Sequence, residues 1–214
     1  MKESTSKEKV LKKIRDALVN STPVPFDGVD AESGVYADNW AGSAEETFAR
    51  AFLDANGKFI YCADVADLVH KLKAVLQSKA AGKIFCGESY LSALLKEIGA
   101  DQTSELTELA ECKAAVNGCE ALIARHGTIV FSSRQGGGRQ ATVVPPVQIV
   151  VATTRQLVLD LAGAFGYLRS KYEDGMPSLV TFVTGPSRTA DIEKTLVLGA
   201  HGPEEVYLFL LEIT

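Results

Sequence analysis

The sequence has few metal-binding residues, and those it has are dispersed. Its four cysteines form no CxxC pair, and its three histidines, His70, His126 and His201, lie far apart. Zinc and iron–sulfur sites need such ligands at close spacing. We therefore expect that this chain binds no cofactor itself. The cysteines sit in or beside apolar stretches, which indicates buried free thiols.

A basic surplus and long hydrophobic runs are lacking as well. The formal net charge is −5, which leaves too little positive charge to favour binding to a phosphate backbone. No stretch approaches the roughly 20 apolar residues of a membrane span. The first 20 residues are charged throughout, which is unlike a signal peptide. We therefore expect a cytoplasmic protein with no nucleic-acid partner and no membrane span.

What is present is an ordinary globular composition, with 46% hydrophobic and 23% charged residues. The spacing of apolar residues predicts an amphipathic helix over Thr5–Val19. The segment Asn20–Gly42 gathers proline and glycine and predicts irregular structure. A capping box over Ser43–Glu46 predicts the start of a second helix. We therefore expect an N-terminal helix and irregular arm at 1–42 and one α/β domain at 43–214.

Within that domain, the predicted elements are a strand at Lys58–Ala63, a helix at Asp64–Gln77, a strand at Lys83–Cys86, a helix at Ser89–Glu97 and a short strand at Lys113–Val116. This alternation of strands and helices indicates a mostly parallel sheet. Nearly continuous apolar strands further indicate that helices cover both faces of this sheet. Short β-branched segments separated by glycines and prolines predict a small β-hairpin or meander insertion. The less regular segments are assigned as a helical turn at Cys119–Ala124, a strand at Ala141–Val144 and a helix at 156–172.

The strongest candidate site is the polar segment Thr184–Glu193, placed between a predicted strand at Leu179–Thr184 and a predicted helix at Thr189–Leu196. Free backbone amides at a helix N-terminus favour anions, and an arginine adds a bidentate donor. Simple helix capping is the alternative. The ligand-binding candidates here are Gly185, Pro186, Ser187, Arg188 and Thr189, and the candidates for proton transfer are Asp191 and Glu193.

Two further segments are weaker candidates. Ser132–Arg139 contains three consecutive glycines and could hold an anion through Arg134 and Arg139, although a flexible hairpin tip is the better interpretation. His126 precedes Gly127 and Thr128 and could act as an acid or base near neutral pH. A lone histidine in a loop is more often structural.

These residues carry a resemblance to a known family. Thr184–Glu193, followed by Gly199–Pro203, resembles the signature of the lactate utilization protein C family, which is defined by the LUD domain. The resemblance continues upstream through Gly127–Val130 and Val144–Val151. It implies a fold similar to the superfamily of sugar-phosphate isomerases, CoA-transferases and 5-formyltetrahydrofolate cyclo-ligase (NagB/RpiA/CoA transferase-like), with ligands held at the carboxyl ends of strands.

The resemblance also implies a pathway. Proteins of this family act beside an iron–sulfur protein and a cysteine-rich oxidoreductase subunit in oxidising L-lactate to pyruvate. We therefore expect the iron–sulfur clusters to reside in partner subunits, and this chain to be a ligand-binding, non-catalytic subunit that takes a small anionic ligand. The alternatives are a stand-alone enzyme acting on a phosphorylated or CoA-linked small molecule, a nucleotide-dependent cyclo-ligase-like activity, and a scaffold role for the N-terminal helix.

Overall fold

A computed structural model describes residues 5–19, 42–79, 81–192, 195–199 and 201–213. The chain divides into two compact units, at residues 1–39 and 40–214. The first unit contains the helix α1 (Ser6–Val19), as predicted from its apolar spacing, and none of that helix's residues is buried. The irregular segment predicted at Asn20–Gly42 lies almost wholly outside the described residues.

The second unit contains the helices and strands of the α/β domain. Its helices are α2 (Ala44–Asp54), α3 (Val65–Lys79), α4 (Ser89–Glu97), α5 (Gly138–Ala141) and α6 (Leu161–Lys171). Its strands are β1 (Lys58–Cys62), β2 (Ile84–Phe85), β3 (Gln102–Thr103), β4 (Ala114–Asn117), β5 (Ala121–Ile123), β6 (Thr128–Ser132), β7 (Val147–Thr153), β8 (Leu157–Val158), β9 (Val180–Val183), β10 (Arg188–Ile192), β11 (Thr195–Leu198) and β12 (Glu205–Leu211). Short 3-10 helices cover Leu106–Glu111, Ala124–His126 and Thr154–Gln156.

The predicted parallel sheet is confirmed. Six strands pair in the order β1-β12-β7-β4-β2-β3, and every pairing between them is parallel. A second sheet has the order β8-β5-β6-β9, and β10 pairs with β11 alone. The chain therefore has one main sheet with two smaller β elements, which corresponds to the expected α/β fold with a β insertion.

The two faces of the main sheet are covered differently. On one face, Ile149 and its neighbours pack against leucines of α3 and α4. On the other face, Val150 packs against Phe48 and Phe52 of α2 and against apolar residues of the second sheet. The rings of Phe48 and Phe52 are stacked, with centroids 5.5 Å apart. Each fully buried phenylalanine contributes about 1.5–3 kcal/mol to folding.

Two helices begin at a polar side chain that caps their first turn. The Ser43 hydroxyl accepts a hydrogen bond from the Glu46 amide at 3.2 Å, which caps α2 as the sequence predicts. The predicted start of the later helix at residue 156 is wrong, because the Asp160 carboxylate accepts from the Gly163 amide at 2.8 Å and caps a helix that begins at Leu161. Residues 157–158 instead pair with β5.

Two other assignments are wrong. The predicted turn at Cys119–Ala124 contains strand β5, which is held by antiparallel pairing with β6. The predicted strand at Ala141–Val144 instead follows the single turn of α5, and the Val143 and Val144 amides donate to the Gln140 carbonyl. In both segments, the backbone hydrogen bonds of the folded chain outweigh the local preference of the side chains.

Candidate functional site

The two halves of the signature lie side by side. The Ser187 amide donates to the Pro203 carbonyl at 2.9 Å, and the Gly199 amide donates to the Ser187 carbonyl at 3.1 Å. Gly185 and Gly199 have φ values of 75° and 77°, which favour glycine. The structure therefore brings together two segments that are more than ten residues apart in sequence.

The predicted helix at Thr189–Leu196 is wrong. The backbone forms the antiparallel pair β10 and β11, with Arg188 opposite Leu198. Cross-strand hydrogen bonds satisfy the backbone groups that a helix would have used, and the Ser187 amide is occupied by Pro203. A helix dipole therefore contributes nothing to anion binding at this segment.

The signature also lies at the amino end of the main sheet. The Glu204 and Glu205 amides donate to the Pro146 carbonyl at 2.8 and 3.2 Å, just before β12 and β7 begin. Gly185 packs against the backbone of Ala55, which precedes β1. The resemblance implied that ligands are held at the carboxyl ends of strands. The signature instead borders the opposite edge of the sheet.

A cavity of about 250 Å³ opens beside the signature, and we call it the signature cavity. It offers hydroxyl groups from Thr184 and Ser187 and the imidazole of His201. Arg188 directly follows this wall and is exposed. The volume is slightly below that of drug-sized pockets, so it fits a small ligand. Its lining is Thr142, Val143, 182–187 and 201–203.

Gly127 and Thr128 lie close to the signature residues. The Thr128 and Thr184 hydroxyls are 2.7 Å apart. Gly127 has a φ of 59°, and a Cβ there would overlap the Phe52 amide, while a Cβ at Gly185 would overlap the Ala55 carbonyl. Both glycines therefore allow the end of α2 to approach closely.

The remaining candidates are spread over other elements. His126 is exposed at the end of a 3-10 helix, and Arg139 is exposed in α5, shortly before two residues that line the signature cavity. Thr189 and Asp191 lie in β10. Glu193 lies outside the described residues. The roles assigned to these residues stay predictions.

The glycine-rich segment is not a hairpin tip, because the element that directly follows it is the helix α5 and not a strand. Residues 133–138, which we call the glycine loop, lead into α5 and pack against β2. A Cβ at Gly87 would lie 2.6 Å from the Gly136 carbonyl carbon. At the other end of the loop, Arg134 pairs with Asp174 at 3.0 Å and lies over the Tyr172 ring. Contacts at both ends therefore fix this loop over the main sheet.

Sequence reasoning missed a second group of polar residues at the carboxyl edge. After β2 the chain enters α4 on one face, and after β4 it enters β5 on the other face. In open α/β sheets, ligands bind where adjacent strands diverge in this way. Here Gly87 and Glu88 follow β2, while Asn117 ends β4 and Gly118 follows it. We call this place the edge crevice.

Hydrogen bonds connect the walls of the edge crevice. Glu88 accepts from the Gly118 amide at 3.1 Å. The Tyr90 hydroxyl also contacts Glu88, and burial of that hydroxyl, with this hydrogen bond, raises the pKa of Tyr90 although its ring is exposed. The Asn117 Nδ2 donates to the Gly136 carbonyl at 3.2 Å. The edge crevice is thus bounded by both strand ends and the glycine loop.

Gln148 of β7 adds an unpaired acceptor beside Asn117. Its Nε2 donates to the Asn117 Oδ1 at 3.0 Å. The Gly136 carbonyl can only accept, so it fixes the orientation of the Asn117 amide and, in turn, that of Gln148. Gln148 is 1% exposed, and its Oε1 has no hydrogen-bond partner within the described part of the chain. An unsatisfied buried acceptor costs about 1–3 kcal/mol.

A fully bonded carboxylate lies two residues beyond Gly118. Glu120 is 0% exposed. It accepts from the Ser132 and Tyr172 hydroxyls, each at 2.6 Å, and from the Lys171 ammonium at 2.7 Å. Burial alone would raise the pKa of Glu120, but these three donors together lower it. Glu120 therefore joins β5 to β6 and α6 as a stable anion.

The sequence contained a signal for this second group. The strands predicted at Lys83–Cys86 and Lys113–Val116 are each followed by a glycine with a polar neighbour. Gln148 is a polar residue inside an otherwise apolar strand. Such a residue needs partners when it is buried, although it belongs to no charged motif in the sequence.

The cysteines have the predicted environment. Cys62, Cys86, Cys112 and Cys119 are free and buried. Burial raises the pKa of Cys62 to about 11, which keeps its thiol protonated at neutral pH. Within the described ranges, no group of three His, Cys, Asp or Glu residues could hold a metal ion. No helix among the described residues is long and apolar enough to cross a bilayer.

Comparison with known proteins gives one family. The model of the LUD domain matches residues 45–211. Lactate utilization protein C of Bacillus licheniformis is 35% identical over 95 residues, which are 44% of this chain and 40% of that protein. The protein of the same name from Bacillus subtilis is 31% identical over 118 residues, or 54% of this chain and 49% of its own length. The matched stretches thus span less than half of each relative.

A solved structure gives the same fold. A DUF162 family protein from Deinococcus radiodurans matches with a TM-score of 0.59 and 18% identity, covering 80% of this chain and 99% of that one. At this identity the likeness concerns the fold alone. The family match covers most of the chain, including the signature and both walls of the edge crevice. The resemblance found in the sequence is confirmed, and the chain belongs to the LUD domain family.

Proposed function

We propose that this chain is a component of a bacterial L-lactate oxidation system, in which lactate is oxidised to pyruvate. The observation that carries the proposal is the LUD domain match over residues 45–211, together with relatives named lactate utilization protein C. The chain acts as a non-catalytic, ligand-binding subunit, and iron–sulfur and cysteine-rich oxidoreductase subunits carry the electrons. The dispersed cysteines support this division of labour.

The ligand of this proposal is a small anion held at the signature cavity. Its hydroxyl donors, Thr184 and Ser187, and the imidazole of His201 can hydrogen-bond a carboxylate. Arg188 lies next to that wall in sequence and supplies positive charge. Anion binding at this place depends on side chains and on a cavity, and it needs no helix N-terminus.

Growth on L-lactate tests the proposed pathway. Deletion of the gene in its native host should slow growth on L-lactate, and the intact gene should restore it. Complementation with Arg188→Ala should restore growth only in part, whereas the control Arg169→Ala, an exposed arginine of α6, should restore it fully. Normal growth of the deletion strain, in a host without a second copy, would contradict the pathway.

Thermal unfolding of the purified chain separates this proposal from the stand-alone enzyme. L-lactate or pyruvate should raise the Tm of the intact chain by mass action, and Arg188→Ala should reduce that rise. Nucleotides, sugar phosphates and CoA esters should have no such effect. Stabilisation by one of these phosphorylated compounds, together with none by lactate or pyruvate, would favour the stand-alone or cyclo-ligase-like enzyme instead.

A further inference from the structure

We propose that a cavity at the amino edge of the main sheet binds a free amino acid with an apolar side chain. The cavity has a volume of about 340 Å³ and lies between the carboxyl-terminal half of α3 and the chain that follows α4. We call it the helix-end cavity, and its lining includes Ile84, at the start of β2, and residues 98–101. None of its lining residues belongs to the signature cavity, so the proposal does not depend on the lactate pathway.

The strand order places the helix-end cavity away from the signature. The signature borders the amino ends of β12 and β7, whereas the helix-end cavity borders β2, and β4 lies between β7 and β2. The Ile84 amide donates to the Asp101 carbonyl at 2.9 Å, which fixes the chain after α4 against the start of β2. A ligand at this place therefore does not compete for the signature cavity.

The floor of the helix-end cavity is apolar and is part of the core. Leu76 and Ile84 are buried, with 6% and 2% of their surface exposed, and Ile98 packs against the same core cluster. An apolar side chain that lies on these three residues leaves water, which favours binding. The volume is at the low end of the range for small-molecule pockets, which suits a side chain of the size of leucine.

The rim of the helix-end cavity carries one charge of each sign. Lys73 and Asp101 are exposed, and neither forms an ion pair among the described residues. The neighbouring Lys83 is paired with Glu108 at 3.1 Å rather than with Asp101. A purely anionic or purely cationic ligand would pair with one rim charge and be repelled by the other. A zwitterion, with an ammonium and a carboxylate group, pairs with both.

The ends of two helices determine which way the amino acid lies. The carboxyl end of an α-helix carries partial negative charge and attracts cations. Both α3, which ends at Lys79, and α4, which ends at Glu97, finish beside the helix-end cavity, so they act together with Asp101 on the ammonium group. Lys73 and Gln77 lie four residues apart on one face of α3, and both can donate to the carboxylate.

L-Leucine and three fragments of it form a matched set of probes. 4-Methylpentanoate lacks the ammonium group, 3-methylbutylamine lacks the carboxylate, and glycine lacks the apolar side chain. Each is titrated into the isotope-labelled full chain while NMR follows the backbone amides of Gly82, Gly99 and Asp101. L-Leucine should give saturable shifts of these signals, and each fragment should bind at least roughly tenfold more weakly.

Two substitutions at exposed positions identify the charged groups. Lys73→Met should reduce the preference for L-leucine over 3-methylbutylamine to about twofold, because the carboxylate then has no cation. Asp101→Asn should reduce the preference over 4-methylpentanoate in the same way, because the ammonium group then has no carboxylate. The controls Arg169→Met in α6 and Asp54→Asn in α2 remove charges from exposed residues outside the cavity lining, and they should leave both preferences unchanged.

Three results would overturn the proposal. The first is the absence of saturable shifts at these three amides when L-leucine is added to the unaltered chain. The second is a fragment that binds as tightly as L-leucine, since the apolar floor or a single charge would then account for binding. The third is an unchanged set of preferences in Lys73→Met and Asp101→Asn, because the rim charges would then not contact the ligand.

Discussion

At the scale of single residues, two buried polar groups, Glu120 and Gln148, lie close to the end of β4 in the main sheet. Glu120 is completely buried and has three donors, while Gln148 is almost as buried and has an oxygen with none. A satisfied buried carboxylate stabilises the fold, whereas an unsatisfied amide oxygen costs free energy unless a ligand or water donates to it. The two residues therefore make opposite contributions to the stability of the fold.

Glu120→Gln should lower the free energy of unfolding by about 2–4 kcal/mol, because it removes a buried charge that three donors satisfy. The folded-state pKa of Glu120 is below its usual 4.5. Its contribution is therefore present above pH 4.5 and is lost as the pH falls below that value. Urea unfolding at several pH values should show less acid destabilisation in the variant than in the parent chain.

The matched control for this experiment is Glu173→Gln, at an exposed position beside Tyr172. It should change stability by less than about 0.5 kcal/mol. Equal effects of the two substitutions would refute the role assigned to the buried carboxylate. On the alkaline side, burial alone would lower the pKa of Lys171, but its hydrogen bond and ion pair with Glu120 raise it above 10.5. The contribution of Lys171 to stability is therefore lost as the pH rises above that value.

Gly127→Ala tests the packing of the signature region against α2. The φ of 59° and the overlap of a Cβ with the Phe52 amide should together lower stability by about 1–3 kcal/mol. Gly166→Ala is the control, because a Cβ in that part of α6 meets open space and should stabilise the helix by about 0.5–1 kcal/mol. Opposite signs in thermal unfolding are the expected result.

At the scale of elements, the glycine loop depends on its contact with the end of β2. Gly136→Ala would place a Cβ against the Gly87 carbonyl, so the loop has to move away. We expect faster hydrogen exchange at residues 134–138 and a shifted Asn117 side-chain amide signal, since that amide donates to the Gly136 carbonyl. Gln140→Ala, exposed in α5, is the control. Unchanged exchange in Gly136→Ala would contradict this packing.

Elements with regular apolar spacing could be predicted from the sequence, and those defined by pairing could not. The predicted helix Ser89–Glu97 has the observed bounds of α4, because its leucines recur at helical spacing. The segment after Ser187 has β-branched residues mixed with good helix formers, so local preference does not decide between helix and hairpin. Hydrogen bonds between Ser187 and both Pro203 and Gly199, distant in sequence, close the hairpin.

The candidate sites show the same limit. The signature residues and Thr128 could be found from the sequence because polar residues concentrate there, and the structure brings them together. Glu88, Asn117 and Gln148 lie on three different strands or strand ends, and only the strand order of the main sheet brings them together. Single-sequence reasoning had no access to that order.

At the scale of the whole molecule, the main sheet separates the two candidate sites. The signature cavity borders the amino edge of this sheet and is lined by hydroxyl groups and an imidazole, whereas the edge crevice lies at its carboxyl edge, beside the Glu88 carboxylate and the Asn117 amide. The pathway itself rests on the family and on the names of its relatives.

The proposed place of this chain in L-lactate oxidation can be tested by purifying the tagged full chain from its native host, grown on L-lactate. The measurement is the iron content of the purified material and its L-lactate-dependent formation of pyruvate with an artificial electron acceptor. The account predicts co-purified iron–sulfur protein and lactate-oxidising activity. Intact chain recovered without iron and without activity, while the remaining lysate still oxidises L-lactate, would contradict it.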